Sequence, residues 1–432
     1  MNILFIANEL GYRGTPRYLI NCATLARQAG HGILIWALTE GGAGEQTCAK
    51  LGLPVQIGLS AGALATAIKF APRIVHIHRS GGISDRDNAL LRHLRKATNC
   101  RVLETNVFGT ADLTRNGPID LHAQISRWDL WRWRRWFWPI RKPGIYLPYC
   151  VDTTAFRPRP ELAKSFREKH QIAAHAFVVG RLGKADWSEV REAIQTAMKT
   201  NPRIVFASVD DYSGKEENFS AWPSELQARI IHVQRLQGTD ALSAFYSACD
   251  LTMNFSPIGE SFGYVVAESM ACGTPVIAQS KPRNDNAQIE LAESQYGCYP
   301  VKDAQAAAQV ILDCANTPPT PEQKQRCRDS IVKRYSLEAF APRLEKGYQT
   351  LAATNLRGRS LEHELVNAGF EADIPDEEIK KRLASVIGGR PPLVERIKIR
   401  LAYSFPNAIR IQSIVRRDFP QPVPAILKSL AI

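Results

Sequence analysis

The chain is built from short apolar runs that alternate with segments whose apolar residues recur every three or four positions. The runs are typical of buried strands, and the longer spacing is typical of helices. In the first third, strands are predicted at 2–7, 32–38, 73–78 and 101–105, with a helix at 18–30. A second alternating region predicts strands at 176–179, 203–207, 230–233, 251–254 and 275–278.

Strands that alternate with helices favour parallel sheets covered by helices on both faces. Ligands of such sheets bind beyond the carboxyl ends of the strands. Candidate chemistry is therefore expected in the loops that follow those ends, which in the first region are 8–17, 79–82 and 106–109.

The chain has 432 residues, which is too long for one hydrophobic core. A proline- and turn-rich segment at 146–160 is predicted to be a hinge, and a long helix is predicted at 336–353. We therefore expect a first domain at 1–150, a second at 151–340, and an extension at 341–432 that starts with that helix. Beyond residue 359 the sequence becomes charged and proline-containing, without strand alternation.

Charge and cysteine usage narrow the class of protein. The formal net charge of +13 implies anionic partners, among them nucleotide diphosphates, phosphorylated glycans, a phospholipid surface or nucleic acid. Nine cysteines are scattered singly, which favours reduced cytosolic thiols. The first ten residues indicate a buried strand and not a signal peptide. No apolar stretch reaches the roughly 20 residues that span a bilayer, so membrane contact is expected to be peripheral.

The most informative segment is 256–278, SPIGESFGYVVAESMACGTPVIA. Glu260 and Glu268 are separated by seven residues, and Gly263 lies between them before a small-residue helix. A helix start offers free backbone N–H groups and a positive dipole end, which suit a phosphate. Carboxylates accept hydrogen bonds from sugar diols. The segment therefore predicts a site for a nucleotide-sugar, against the alternatives of a helix-surface carboxylate at Glu268 and an ordinary loop residue at Glu260.

Four segments together resemble the retaining GT-B glycosyltransferases of family 4. They are the E-x7-E segment ESFGYVVAE with SMACGTPVIA, the hinge LPYCVDTTAFRP, the opening NELGYRGT and the segment VVGRLGK, which cover residues 1 to about 355. The resemblance implies an α/β GT-B fold: two Rossmann-like domains that face a cleft, with a basic C-terminal extension. It also implies an acceptor-binding first domain, a donor-binding second domain and a last helix that returns to the first.

The resemblance also implies roles for individual residues of the second domain. Glu260 is expected to contact the donor sugar, and Glu268 the ribose hydroxyls. Arg181 and Lys184 are expected to neutralise the diphosphate, although their position alone would also fit an exposed, solvated pair. Backbone groups expected to approach the diphosphate belong to Ser261, Phe262, Gly263 and Tyr264. No Asp-x-Asp motif ends a strand, so a metal-free site without a cofactor is expected, the nucleotide-sugar being a substrate.

In the first domain, Gly11 and Gly14 permit close approach of the backbone to a phosphate or sugar, and Arg13 and Thr15 supply hydrogen-bond donors. Gly14 and Thr15 are expected to bind the nucleotide-sugar, and Arg13 and Asn106 are candidates for the acceptor site. A plain surface turn is the alternative. His78 is an acceptor-site candidate, although a hydrogen-bonded structural histidine fits as well.

Two loops depart from the family pattern. Asn106 stands where related enzymes commonly carry a histidine, and it cannot titrate. General-base catalysis is therefore expected from the leaving phosphate, in a front-face mechanism. The loop SKPRNDNAQIE lacks the family's usual glycine pair, which leaves the donor sugar open.

The segment 128–138, WDLWRWRRWFW, holds five of the eight tryptophans with interleaved arginines. Such a composition suits contact with a membrane or a lipid-linked acceptor. Packing of some tryptophans in the core, or stacking on sugars or bases, is the alternative. The basic tail at 394–430 either binds a surface or wraps the body, and no nucleic-acid partner is expected.

These features predict a metal-independent, retaining hexosyltransferase. It would move a sugar from a nucleoside diphosphate donor to the hydroxyl of a glycan or lipid-linked acceptor, in synthesis of bacterial surface polysaccharide or lipopolysaccharide. The expected location is the cytoplasm, with peripheral contact at the inner face of an anionic membrane. The alternatives are a nucleotide-sugar epimerase of the same fold and a non-catalytic glycan- or lipid-binding module.

Overall fold

The computed structural model describes residues 1–11, 13–79, 85–109, 117–135, 142–183, 185–210, 217–281, 285–291 and 297–370. These residues form two compact units. The first unit comprises Met1–Cys150 and the described residues from 340 onward, and the second comprises Val151–Ala339. The predicted basic tail lies outside the described residues.

The first unit contains a parallel sheet of seven strands in the order β3-β2-β1-β4-β5-β6-β7. The strands are β1 Asn2–Glu9, β2 Gly32–Glu40, β3 Val55–Ile57, β4 Ile74–Arg79, β5 Arg101–Asn106, β6 Leu121–Gln124 and β7 Gly144–Tyr146. Residues 3–6 of the central strand β1 are fully buried, because both faces of the sheet are covered.

Helices pack on both faces of this sheet. One face forms a core that includes Leu4, Ile77 and Leu91. On the opposite face the ring of Phe5 lies near the ring of Tyr348, with centroids 6.4 Å apart. The helices are α1 Gly14–Gln28, α2 Gly42–Lys50, α3 Ala61–Lys69, α4 Asp85–Thr98, α5 Arg127–Arg135, α14 Leu337–Ala353 from residue 340 onward, and α15 Gly358–Asn367.

The second unit contains a parallel sheet of six strands in the order β10-β9-β8-β11-β13-β15, and a separate parallel pair, β12 with β14. The strands are β8 Phe177–Arg181, β9 Ile204–Val209, β10 Ile230–Val233, β11 Leu251–Asn254, β12 Gly259–Glu260, β13 Val276–Gln279, β14 Asp285–Asn286 and β15 Cys298–Val301.

A core that includes Val190, Phe206 and Ile311 lies between this sheet and its helices. Helix α13, Pro321–Tyr335, begins with a capping box in which the side chains of Thr320 and Gln323 each accept a hydrogen bond from the other residue's backbone amide. The helices are α6 Pro160–Lys169, α7 Trp187–Thr200, α8 Ser224–Gln227, α9 Thr239–Ala248, α10 Tyr264–Ala271, α11 Gln288–Leu291, α12 Ala304–Asn316 and α13 Pro321–Tyr335.

The tryptophan-rich segment is partly a core element. Trp128, Trp131 and Trp133 on α5 are each at most 4% exposed. The indole of Trp133 donates a hydrogen bond to the carbonyl of Lys142 at 3.1 Å, and it packs where a side chain at Gly144 would stand. The rest of the predicted membrane-contact segment, 136–138, lies outside the described residues. Within the described ranges, no helix is both long and apolar enough to cross a membrane.

Candidate functional site

The start of helix α10 is organised around a left-handed glycine. Gly263 occupies the N-cap position with φ of 87°, a conformation that favours glycine. A β-carbon at this position would stand 3.4 Å from Cγ of Glu260, an ordinary contact distance, so it is the positive φ that favours glycine here. The carbonyl of Gly263 accepts the first helical hydrogen bond from the Ala267 amide. The amides of the first turn precede this bond, so they have no partner within the helix itself.

Small residues let α10 pack closely on the sheet. The Ser269 hydroxyl lies 2.7 Å from the Thr252 hydroxyl on β11, and it also donates to the carbonyl of Thr274. Gly273, with φ of 80°, ends the helix. The helix start is thereby fixed at the carboxyl end of β11.

Glu268 lies one turn into α10 and is only 3% exposed. Its Oε2 accepts a hydrogen bond from the hydroxyl of Tyr246 at 3.2 Å. The backbone of Tyr246 is itself held, because the Thr274 hydroxyl donates to its carbonyl at 2.7 Å. Glu268 is therefore a buried, oriented carboxylate, and the alternative of a helix-surface glutamate is wrong.

Glu260 is held from three sides. Its Oε1 accepts a hydrogen bond from the Asn254 amide at 3.1 Å, and Asn254 is the last residue of β11. Its carbonyl accepts from the Ala287 amide at 3.0 Å, and its strand β12 pairs with β14. The loop that departs from the family pattern is thus tied directly to Glu260.

The residues between the two glutamates are largely enclosed. Ser261 is 9% exposed and Phe262 is 5% exposed. The ring of Phe262 makes edge contacts with the rings of Tyr264 and Tyr335, each at a centroid distance of 5.4 Å. Phe262 therefore anchors the turn through its side chain, which leaves the backbone as the ligand-facing candidate.

Arg181 ends β8, next to β11 in the sheet, so it lies at the same edge as Asn254. It is 3% exposed and is therefore not a solvated surface residue. Its guanidinium donates to the carbonyls of Val209, at 2.9 Å, and Gly183, and it lies 4.4 Å from the ring centroid of Trp187. Lys184, its predicted partner, lies outside the described residues.

Three residues that hold this site or lie near it were not singled out from the sequence: Asn254, Tyr246 and Lys281. Lys281 lies 3.3 Å from Asp186 and 3.4 Å from Glu189. Burial acts to raise the pKa of Asp186, but hydrogen bonds from Ser188 and Lys281 outweigh it, so that pKa is lowered. Asn254 could have been found as a polar residue that ends an apolar run.

In the first unit, the predicted glycine loop leads into α1. The side chain of Arg13 is 77% exposed and lies 3.4 Å from the Glu9 carboxylate. Gly14 and Thr15 form the first residues of the helix, and the Thr15 hydroxyl lies 3.4 Å from the hydroxyl of Tyr149.

His78 and Asn106 are both buried, at 2% and 4% exposed. The ring of His78 packs against the rings of Tyr18 and His76, with centroids 5.5 Å and 4.1 Å away. Burial, together with the neighbouring His76, holds the pKa of His78 well below its ordinary value, so the ring is neutral. The hydrogen-bonded histidine of this pair is His76, which contacts the hydroxyls of Tyr348 and Thr105 at 2.8 Å each.

A buried polar cluster, not predicted from the sequence, lies beside Asn106. Arg79 Nε donates to Glu104 Oε1 at 2.6 Å, and His122 Nδ1 contacts Glu104 Oε2. Burial acts to raise the pKa of Glu104, but the charges and hydrogen bonds of Arg79 and His122 lower it below the ordinary value. These three residues lie on three neighbouring strands.

Comparisons with known proteins agree with this architecture. Residues 163–331 match the family model described as Glycosyl transferases group 1. Over 229 residues the chain is 24% identical to a phosphatidyl-myo-inositol mannosyltransferase of Mycobacterium leprae. That match spans 51% of this chain and 58% of the relative's length.

Two solved structures resemble the whole architecture. The Anabaena protein Alr3699/HepE, solved in complex with UDP and glucose, has a TM-score of 0.63 at 16% identity and covers 81% of this chain and 100% of its own. Sucrose-phosphate synthase of Thermosynechococcus elongatus has a TM-score of 0.62 at 17% identity and covers 82% of this chain and 99% of its own. The predicted α/β GT-B fold is confirmed: the chain has this fold, and residues 163–331 of its second unit match the Glycosyl transferases group 1 model.

Proposed function

We propose that this protein is a retaining glycosyltransferase that moves a hexosyl group from a nucleoside diphosphate sugar to an acceptor hydroxyl. The observation that carries the proposal is the pair of oriented carboxylates, Glu260 and Glu268, at the start of α10. A helix start with an acid on each side, Glu260 before it and Glu268 within the helix, matches the three parts of such a donor: diphosphate, ribose and sugar.

Each part of the donor has a proposed partner in the second unit. The Glu268 carboxylate accepts hydrogen bonds from the ribose diol, and its orientation by Tyr246 supports this role. Glu260 contacts the hydroxyls of the transferred sugar. Amides of the segment that comprises Ser261, Phe262, Gly263 and Tyr264 approach the diphosphate.

Cleavage of the glycosidic bond leaves negative charge on the diphosphate, and catalysis requires that this charge be stabilised. The positive dipole end of α10 supplies part of that stabilisation. Arg181 contributes a fixed positive charge at the same edge of the sheet. The second charge expected from Lys184 stays a prediction from the sequence. These groups would serve without a metal ion.

The acceptor is proposed to bind to the first unit, where Arg13 and Asn106 are candidate contacts. The donor-binding role of Gly14 and Thr15 stays a prediction from the sequence. His78 is enclosed by aromatic rings, and its lowered pKa makes it a weak base, which does not favour it as the general base. Proton removal from the acceptor hydroxyl is therefore assigned to the leaving phosphate, in a front-face mechanism that retains the anomeric configuration.

The matched relatives support the substrate classes. One is a mannosyltransferase that acts on a phosphatidyl-myo-inositol, and another was solved with UDP and glucose. For this chain we propose a glycan or lipid-linked acceptor in bacterial surface polysaccharide or lipopolysaccharide synthesis. Peripheral contact with an anionic membrane stays a prediction, which the net charge of +13 supports.

The test is donor binding and turnover by Glu268→Ala. Loss of two hydrogen bonds between a diol and a charged carboxylate costs about 3 kcal/mol, or about a hundredfold in affinity. Binding of UDP, GDP and ADP is measured by calorimetry, and release of nucleoside diphosphate from the matching sugar donors is followed. Glu168→Ala removes an exposed carboxylate of the same unit and serves as the control.

Wild-type affinity and turnover in a folded Glu268→Ala variant would contradict the ribose assignment. A donor-only assay separates the alternatives: isomerised or hydrolysed sugar without an acceptor indicates an epimerase. Liposome or glycan binding without release of any nucleoside diphosphate indicates a non-catalytic module.

A further inference from the structure

A row of buried polar side chains lines the carboxyl end of three strands in the first unit. Arg79, Asn106 and Gln124 are the last residues of β4, β5 and β6, and they are register partners across the sheet. Register partners of a parallel sheet project to the same face, so the three side chains form one row. None of them is more than 7% exposed.

The carboxylate of Glu104 holds the Arg79 side chain of this row in place. Glu104, the strand neighbour of His122, uses one oxygen for Nε of Arg79 and the other for Nδ1 of His122. Both oxygens of this carboxylate are therefore occupied, while Arg79 is held by only one of its nitrogens. The guanidinium is fixed in place, and its two terminal Nη groups are not used by Glu104.

Several buried polar atoms around this row lack a protein partner. Within the described part of the chain, the two Nη groups of Arg79 and both amide atoms of Gln124 have no hydrogen-bond partner. Such groups are rare in native proteins, because a buried donor or acceptor without a partner destabilises the fold. The two Nη groups and the Gln124 amide nitrogen need acceptor oxygen atoms, and the Gln124 amide oxygen needs a donor. A molecule that carries oxygen acceptors and a hydroxyl donor would satisfy the set.

The chemistry of the row indicates an anionic group on that molecule. The two Nη groups of a guanidinium form a planar fork that matches the oxygens of a carboxylate or phosphate. Tyr146 is the next register partner after Gln124, and the guanidinium carbons of Arg127 and Arg343 lie 5.6 Å and 4.9 Å from its ring centroid. Positive charge thus continues along the same sheet edge.

We propose that Arg79, assisted by Gln124, binds an anionic group, a carboxylate or a phosphate, carried by the acceptor. The proposal rests on the glycosyltransferase function proposed above, and it narrows the acceptor from any glycan or lipid-linked sugar to one that bears a negatively charged group. Arg79 and Gln124 are then acceptor-binding residues that no donor contact explains.

The experiment compares three probes that differ in one group: glucose, glucuronate and glucose 6-phosphate. Binding to the full chain is measured by calorimetry at low ionic strength. The wild-type protein is expected to bind at least one anionic probe at least about tenfold more tightly than glucose, because a fork to a charged oxygen pair adds more than 1.4 kcal/mol. The tighter of the two anionic probes identifies a carboxylate or a phosphate as the group recognised.

Substitutions test whether the anionic probe binds at this row of side chains. Arg79→Gln combined with Glu104→Gln removes both members of the ion pair, so that no buried charge is left alone. This double variant and Gln124→Leu are each expected to lose the preference for the anionic probe. Arg95→Gln breaks another arginine–carboxylate pair of the same unit, that with Asp120 at 2.9 Å, and is expected to keep the preference.

Equal affinity of the wild-type protein for all three probes would overturn the inference, and so would an undiminished preference in the folded double variant. Nucleotide binding is measured on the same samples. If a nucleoside diphosphate binds and no anionic probe does, the inference fails while the proposed function stands. If the probe requires Arg79 but no sugar donor is ever turned over, the inference stands and the proposed function fails.

Discussion

His78 shows how burial decides the chemistry of a single residue. Its ring is 2% exposed among the rings of Phe5, Tyr18 and His76, and no hydrogen-bond partner contacts it within the described residues. Its pKa in the folded protein lies below that in the unfolded chain, about 6.5. The unfolded chain therefore binds more protons as the pH falls below 6.5, and the folded protein loses stability.

We expect His78→Phe to remove this penalty, because phenylalanine keeps the ring and cannot be protonated. The variant should have nearly wild-type stability at pH 7.5 and a higher melting temperature than wild type at pH 5. The neighbouring His76, whose burial lowers its pKa to about 3, keeps a residual acid sensitivity. Denaturation at both pH values checks the prediction, and equal losses in the two proteins would contradict it.

At the scale of one element, the start of helix α10 depends on the glycine at its N-cap. We expect Gly263→Ala to lower stability by about 1–2 kcal/mol through its positive φ, and also to weaken nucleoside diphosphate binding. The second effect follows because relief of the strained φ at residue 263 shifts the helix start, whose amides are proposed to bind the diphosphate. Calorimetric affinity for UDP, GDP and ADP measures it.

The matched control is Gly238→Ala at the N-cap of α9. Its φ of 82° imposes similar backbone strain, but an added methyl group meets nothing within 4 Å. This variant should lose comparable stability and keep its nucleotide affinity. Equal loss of affinity in both variants would show that the effect on binding is general destabilisation.

At the scale of the whole molecule, each unit has its own sheet and core, so ligand protection should be confined to one of them. We expect the nucleoside diphosphate that binds most tightly to slow amide hydrogen exchange in β11 and α10, because those elements hold the proposed site. Exchange in β1 and β4 of the first unit should stay unchanged. Exchange with and without nucleotide measures this, and protection restricted to β1 and β4 would place the donor in the first unit.

The strands that the sequence predicted and those it missed differ in composition. Segments with at least two adjacent apolar residues predicted β1, β2, β4 and β5 to within a few residues. Strand β6, LHAQ, was missed because it is short and a buried histidine separates its two apolar residues. Strands β12 and β14 have two residues each and exist only because they pair with each other.

The candidate site likewise contains some features that the sequence predicts and others that only folding creates. The sequence alone determined the order of strands and helices, the parallel sheets and the two glutamates about a helix start, because these depend on spacing along the chain. Only the tertiary structure decided that Tyr246 orients Glu268, that Asn254 holds Glu260, and that Arg79 meets Glu104. Those contacts join residues that are 22, 6 and 25 positions apart, and no local pattern encodes them. Burial likewise depends on packing across the sheet, which is why it was the tertiary structure that enclosed Arg181, His78 and the tryptophans of α5.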